Sequence, residues 1–222
     1  MDFKTVLKKL LPDALYFGYH SINITLRNLP LIKQMSFKRW VNNGSPLPPP
    51  HIVKQKNIRE YADKYKLKTL VETGTFLGEM VYSQKDNFDK IFSIELSQKL
   101  HKRAVKKFEK NKNVEILLGD SSKVLKELAD SGKLNSPSLF WLDGHYSAGF
   151  TALGEKETPI LEELETIFRT NQKHVILIDD ARCFKGENDY PTIEELSNFI
   201  KSKNSNYVLT FSEDIIKVTP DY

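Results

Sequence analysis

The chain has 222 residues, of which 28% are charged and 40% are hydrophobic, a composition typical of a globular protein with a full core. The single cysteine excludes an internal disulfide framework, and no apolar run reaches the 18 residues of a membrane-spanning helix. We therefore expect a cytoplasmic protein, with contact to a membrane surface as an open possibility. Residues 1–56 carry nine Lys or Arg and two Asp, whereas residues 57–222 carry 24 basic and 27 acidic residues. Because the basic charge belongs to an arm and not to a core, no nucleic-acid partner is expected.

Residues 1–50 are predicted to form a basic extension that serves as a substrate wall, a lid or a docking arm. Apolar residues recur at helical spacing between Phe3 and Leu11, with lysines on the other side. Such a helix can bind a membrane surface through residues 1–12, or pack on the domain with its lysines in water. Irregular or helical structure lying against the core is expected for residues 13–45. The proline-rich stretch 45–50 reads as an extended connector and sets the domain boundary, so that 51–222 form the second domain.

Alternating strands and helices are predicted after residue 57. The predicted strands are followed by helices, and the last two strands flank a short turn and form an antiparallel hairpin. The fold class is therefore α/β, a doubly wound, mostly parallel seven-stranded sheet with an antiparallel C-terminal hairpin. The strands are expected at 68–73, 90–95, 114–118, 138–142, 174–178, 207–211 and 215–218. The first helix is expected at 58–66, and the N-caps of three later helices at Ser97, at Ser121 or Ser122, and at Thr192.

Acidic residues are predicted at the carboxyl ends of all five parallel strands, the edge at which ligands bind in such sheets. In chain order, these ends carry Glu72 and Gly74, then Glu95, Asp120, Asp143 with His145, and finally Asp179 with Asp180.

The first of these ends, Glu72-x-Gly74-x-x-x-Gly78, departs from the dinucleotide fingerprint G-x-G-x-x-G, because Phe76 stands at the second glycine position. This argues against a bound diphosphate, and the acid favours a cationic ligand. A carboxylate at Glu95 can accept hydrogen bonds from ribose hydroxyls, and one at Asp120 from an adenine amino group. Together these positions describe a ligand that contains adenosine and lacks phosphates.

The segments 72–78, 119–120 and 139–144, with Glu95 between them, resemble in order the motifs of class I S-adenosylmethionine-dependent methyltransferases. The resemblance covers about residues 57–218 and implies their Rossmann-like fold, with the methionine part of the cofactor at the Gly74 turn. The cofactor-binding residues that it implies are Glu72, Gly74, Thr75, Phe76, Gly78, Glu95, Asp120, Ser121 and Asp143.

Asp143, Asp179 and Asp180 also resemble the metal site of cation-dependent O-methyltransferases of the catechol and macrolide-sugar types. Three adjacent carboxyl groups repel one another without a cation, and Mg²⁺ prefers such oxygen ligands. Asp180 could instead face solvent while Asp179 caps the next loop. Arg182, just after the pair, is expected to neutralise Asp180, with binding of an anionic substrate as the alternative. His145, with Asp143, is the candidate catalytic pair, and His145 is the candidate base. The catechol type uses a lysine in a comparable place, and a structural role for this histidine is the alternative.

The sequence thus predicts an S-adenosylmethionine-dependent O-methyltransferase acting on a hydroxyl of a small molecule or sugar, assisted by a divalent metal such as Mg²⁺. Two alternatives stay open. One is a nicotinamide-dependent oxidoreductase on the same kind of sheet, and the other is a non-catalytic binding module that docks through its basic arm.

Overall fold

A computed structural model describes residues 13–144 and 158–221 of the chain. The amphipathic pattern at 3–11 and the candidate base His145 lie outside these ranges. Within them, no helix has the length and apolar character needed to cross a membrane.

A seven-stranded sheet forms the centre of the part of the chain that the structure describes. Its strands are β1 Thr69–Thr73, β2 Lys90–Glu95, β3 Val114–Leu118, β4 Leu139–Leu142, β5 Val175–Ile178, β6 Tyr207–Ser212 and β7 Ile215–Pro220. Their order in the sheet is β3-β2-β1-β4-β5-β7-β6. Strands β1 to β5 pair in parallel, and β7 pairs antiparallel with both β5 and β6. This confirms the predicted doubly wound sheet and its C-terminal hairpin.

Helices cover both faces of the sheet, because successive strand residues point to opposite sides and both sides are apolar. The described helices are α1 Asp13–Arg27, α2 Pro30–Asn42, α3 His51–Tyr65, α4 Glu79–Gln84, α5 Gln98–Phe108, α6 Ser121–Asp130, α7 Ile160–Arg169 and α8 Ile193–Lys203. In β4, Phe140 belongs to the core cluster beneath α6, α7 and α8, and Trp141 to the cluster beneath α3, α4 and α5. Burying each such side chain stabilises the fold by roughly 1.5–3 kcal/mol.

The predicted helix caps are confirmed at two of the helices. The side chain of Ser97 accepts a hydrogen bond from the N–H of Leu100 at the start of α5. Thr192 begins α8 with a capping box, in which its hydroxyl and Glu195 each accept a bond from the other residue's backbone.

The start of α3 corrects the sequence prediction, which placed this helix at about residue 58. The helix begins at His51, directly after Pro50. Its first turn lacks a side-chain cap and an acidic residue, the two signals by which a helix start is recognised. Lys54 therefore belongs to the first turn of α3, which lies at the carboxyl edge of the sheet.

The segment between residues 13 and 45 is helical, forming α1 and α2. α1 inserts Phe17 against Leu100 of α5, and the guanidinium of Arg103 lies 3.7 Å from the centre of the Phe17 ring. The opposite face of α1 is apolar and exposed, with Leu15, Tyr19, Ile22 and Leu26 each about half exposed or more.

Candidate functional site

The parallel strand order places a crevice between the carboxyl ends of β1 and β4, where the direction of winding reverses. Thr73, the last residue of β1, is in register with Leu142 of β4 and Ile94 of β2. Leu142 is in turn in register with Ile178 of β5. The residues that follow these positions therefore meet at one edge of the sheet, as the sequence predicted.

The Gly74 turn is held against both neighbouring strands. The N–H groups of Gly74 and Thr75 donate to the Ile94 carbonyl at 3.0 and 3.1 Å. Gly74 has φ +88°, and a Cβ atom there would lie 2.4 Å from the backbone oxygen of Asp143. Only glycine fits this approach of β1 to β4 without a backbone shift. The turn and Asp143 are therefore in direct contact.

Two further residues of this turn have positive φ angles. Gly78, at φ +66°, precedes α4, and a Cβ atom there would lie 2.7 Å from the ring of Phe108. Phe76, at φ +48°, directs its backbone N–H to Glu95 and leaves 41% of its surface exposed. Phe76 thus faces solvent next to the turn.

Glu72 lies at the base of the crevice and is only 2% exposed. It accepts a hydrogen bond from the hydroxyl of Ser93, which also lies 2.6 Å from the hydroxyl of Thr75. Burial raises the pKa of Glu72 to about 8, and the charges of Asp143 and Glu95 add to that rise. Glu72 is therefore mostly protonated at pH 7 until a cation binds close to it.

The carboxylate of Glu95 is shared by two backbone donors. Its Oε2 accepts from the N–H of Phe76 at 2.7 Å, and its Oε1 from the N–H of Ser97 at 2.8 Å. Burial raises the pKa of this carboxyl, and both hydrogen bonds oppose the rise. Each carboxylate oxygen can accept a second bond, so Glu95 can still accept from a ligand while it fixes the turn.

Asp120 begins α6 as its N-cap, where the sequence had suggested Ser121 or Ser122. Its Oδ1 accepts from the N–H of Ser122 at 3.0 Å and from that residue's hydroxyl at 2.5 Å. Aspartate and serine are about equally favourable as N-cap residues, so the sequence does not distinguish Asp120 from the serine that follows it. Asp120 therefore stabilises the start of a helix, at the position that the sequence analysis proposed for adenine recognition.

Asp143, Asp179 and Asp180 form a cluster in which one carboxylate oxygen from each lies within 4.8 Å of the other two. Asp180 is only 7% exposed, so it does not face solvent. Asp179 does accept the N–H of Asp180, at 2.8 Å, as the structural alternative expected. Burial raises the pKa of Asp179, and Lys54 opposes that rise. The three acids thus lie together at the carboxyl edge of the sheet.

Among the described residues, two cations lie in this acidic cluster. Arg182, predicted as a partner of Asp180, donates to its Oδ1 at 2.7 Å and also contacts Asp214. Lys54, which the sequence did not single out, binds Oδ2 of Asp179 and lies 3.7 Å from Oδ1 of Asp180. No charge pattern in the sequence marks Lys54, because its partner Asp179 is 125 residues away along the chain.

Glu163, from α7, is a second residue that the sequence did not single out. It is 1% exposed, and its Oε1 has no hydrogen-bond partner in the part of the chain that the structure describes. Burial raises the pKa of Glu163 to about 7, and the nearby hydroxyls of Ser121 and Thr73 only partly oppose the rise. A Cβ atom on Gly144 would lie 3.3 Å from this oxygen. A buried acid whose pKa is raised close to neutrality therefore lies directly behind the end of β4.

Solved methyltransferases share this fold over most of their length. The O-methyltransferase TomG from Streptomyces achromogenes, solved in complex with S-adenosylmethionine, is 14% identical with a TM-score of 0.57, over 90% of this chain and 95% of that one. An O-methyltransferase from Bacillus cereus, in complex with S-adenosylhomocysteine, is 13% identical with a TM-score of 0.56, over 84% and 90%. Podospora anserina PaMTH1, also bound to S-adenosylhomocysteine, is 16% identical with a TM-score of 0.52, over 95% and 88%.

These comparisons establish the class of fold: the chain has the fold of S-adenosylmethionine-dependent O-methyltransferases, as the resemblance of its motifs implied. No protein-family model matches the sequence, and no curated protein matches it.

Proposed function

We propose that the protein is an S-adenosylmethionine-dependent O-methyltransferase that methylates a hydroxyl of a small molecule or sugar with the help of a divalent metal ion. The observation that supports it most directly is the crevice between β1 and β4. In this crevice the glycine turn, the buried acid Glu72 and the carboxylate cluster lie close together. The fold around them is shared with an enzyme that was solved with S-adenosylmethionine. The residues supply proximity, orientation and electrostatic stabilisation for methyl transfer.

The cofactor would be held by the turn residues Gly74 to Gly78 and by the acids around them. S-adenosylmethionine carries a sulfonium and an amino group, and a buried carboxyl at Glu72 becomes favourable to ionise when such a cation is near. Glu95 is anchored by two backbone N–H groups and so presents a fixed acceptor to ribose hydroxyls. A nicotinamide dinucleotide would instead place a diphosphate at this acidic turn, an unfavourable match of charge.

A divalent ion would be held by Asp143, Asp179 and Asp180. Pairs of carboxylates less than 5 Å apart repel each other by about 3 kcal/mol at an effective dielectric constant of 20. The described ionic groups of this network are these three acids, Asp214, Lys54 and Arg182, and they sum to a formal charge of −2. The hard oxygen donors fit Mg²⁺, and the net negative charge of the network favours a cation. When bound, such an ion lowers the pKa of a coordinated hydroxyl.

The N-terminal extension offers a candidate docking surface, which we define as the exposed apolar residues of α1 and α2. Leu15, Tyr19, Ile22 and Leu26 recur at intervals of four, three and four residues along one side of α1, and Leu31 and Met35 of α2 are also exposed. Arg27, Lys33, Lys38 and Arg39 lie in or beside these helices. Apolar groups with basic neighbours match an anionic lipid surface, so we propose peripheral membrane contact through this extension.

Calorimetry with S-adenosylhomocysteine tests the central proposal. The wild type is expected to bind it, and Glu95→Gln at least tenfold more weakly, because the amide places a donor against a backbone N–H and loses an acceptor for ribose. Glu127→Gln, on the exposed side of α6, is the matched control and should bind as the wild type does. Absence of binding by the wild type, or a preference for NAD, would exclude the methyltransferase. Methyl transfer should also stop in EDTA and return with Mg²⁺.

A further inference from the structure

Lys54 is held in the acidic cluster by a well-anchored helix. It lies in the first turn of α3, between Val53 and Gln55, which are 1% and 5% exposed. Ile58, one turn further on, is fully buried in the core cluster that includes Trp141 of β4. Because residues four apart share a face of a helix, Lys54 projects from the sheet-facing side of α3 toward the carboxyl edge.

A hydrogen bond next to Lys54 connects α3 with the turn between β6 and β7, at the same edge of the sheet. Asn57 donates to Oε2 of Glu213 at 2.8 Å, and Glu213 lies in the turn between β6 and β7. The next residue of that turn, Asp214, receives the guanidinium of Arg182. One turn therefore connects the helix that carries Lys54 with the residue that supplies the other cation.

The ammonium of Lys54 lies directly against two of the three acids. It binds Asp179, lies 3.7 Å from Asp180, and keeps 15% of its side chain exposed. Asp143 completes the cluster, with a carboxylate oxygen within 4.8 Å of oxygens of both other acids. The positive charge of Lys54 therefore offsets part of the repulsion among these carboxylates.

The two cations of the cluster differ in how firmly they are bound. Arg182 bridges two carboxylates, those of Asp180 and Asp214, with a planar group of several donors. Lys54 ends in a compact ammonium on a flexible four-carbon stem. Lys54 is thus the cation that can leave the cluster without breaking the contact between Arg182 and the β6–β7 turn.

We propose that Lys54 is the resident cation of the Asp143–Asp179–Asp180 cluster, and that a divalent ion binds there only by displacing its ammonium. This inference rests on the metal part of the proposed function and deepens it. The lysine keeps the acids assembled in the metal-free protein, and by competing it sets how tightly a metal ion binds. A divalent ion and an ammonium cannot share the same carboxylate oxygens without strong mutual repulsion.

Titration with Mn²⁺, followed by the electron paramagnetic resonance signal of the free ion and by calorimetry, tests the inference. Lys54→Gln should bind Mn²⁺ at least tenfold more tightly than the wild type, because the competing charge is gone. Lys54→Arg, which keeps a cation there, should not bind more tightly. Lys56→Gln is the matched control, because it removes one positive charge from the same helix at an exposed site. Among the described contacts, Lys56 touches only the Phe37 ring. The Mn²⁺ affinity of this variant should equal that of the wild type.

Adding Asp143→Asn to Lys54→Gln should abolish the gain, which places the ion in this cluster. Equal or weaker Mn²⁺ affinity in Lys54→Gln overturns the inference and leaves the proposed function intact. If neither protein binds Mn²⁺, the inference and the metal part of the proposed function both fail. Titration of the same samples with S-adenosylhomocysteine then shows whether the cofactor assignment survives and whether Lys54→Gln is folded.

Discussion

Glu72 is the residue whose charge state determines which ligands the crevice favours. Its carboxyl is buried beside Asp143 and Glu95, and the hydrogen bond from Ser93 does not restore the stabilisation that water would give to its charge. An empty crevice therefore favours the protonated acid, and a bound cation favours the carboxylate. The consequence is a coupling between ligand binding and proton release.

Binding of S-adenosylhomocysteine, whose amino group is a cation, should release nearly one proton at pH 7. A pKa of about 8 leaves roughly nine-tenths of Glu72 protonated at that pH, and ionisation accompanies binding. The affinity should rise with pH up to about pH 8 and then level off. Calorimetry in two buffers of different ionisation enthalpy measures the released protons.

Glu72→Gln should bind without this proton release and lose the dependence of affinity on pH. Glu163→Gln is a useful comparison, because Glu163 is also a buried acid with a raised pKa but lies behind β4. Proton release that persists in Glu72→Gln would assign the effect to another group.

Among single residues, the sequence predicted those whose role follows from the position of a strand end. Asp143 and Asp179 follow buried runs of four residues, and parallel sheets bring such positions to one edge. Lys54 and Glu163 could not be predicted in this way. Both lie on helices, and the partners of a helical side chain depend on how the helix is packed and rotated, which periodicity alone does not specify.

At the scale of secondary structure, the strongly apolar strands and most helix starts were predicted well, and the start of α3 was not. Strands β1, β2, β4 and β5 are short buried runs with clear ends. Ser97 and Thr192 mark the starts of α5 and α8. α3 starts after Pro50 without a cap, so its first turn was missed. Lys54 lies in that turn, and the error therefore concealed a residue of the candidate site.

The contact between the β1 turn and β4 should make Gly74 intolerant of any side chain. Gly74→Ala is expected to lower the free energy of unfolding by about 2–4 kcal/mol, since alanine is strained at positive φ and its Cβ would overlap the Asp143 carbonyl. Urea unfolding followed by circular dichroism measures this change.

Gly18→Ala, in the middle of α1, is the matched control. A Cβ atom there meets no other atom within 4 Å, so the substitution should be neutral or stabilise by up to about 1 kcal/mol. Equal stability of Gly74→Ala and the wild type would mean that β1 and β4 can move apart at this point.

For the molecule as a whole, charge and apolar surface are distributed unequally. Residues 1–56 carry a net charge of +7 and residues 57–222 a net charge of −3. The large exposed apolar side chains of α1 and α2 lie in the same basic part of the chain. A second copy of the chain would present the same positive charge to this surface, whereas an anionic bilayer presents the opposite charge. This asymmetry favours a lipid surface over self-association.

The full chain is therefore expected to co-sediment with vesicles that contain phosphatidylglycerol, and less with vesicles of phosphatidylcholine alone or at high salt. Ile22→Glu should weaken this binding about five- to thirtyfold, because it replaces roughly 1–2 kcal/mol of apolar burial by a charge that the bilayer repels. Leu161→Glu is the matched control, an exposed leucine on α7 beneath the other face of the sheet, and should bind as the wild type does. If the wild type ignores both kinds of vesicle but dimerises with rising concentration, and Ile22→Glu stays monomeric, then the docking surface binds a second copy of the chain.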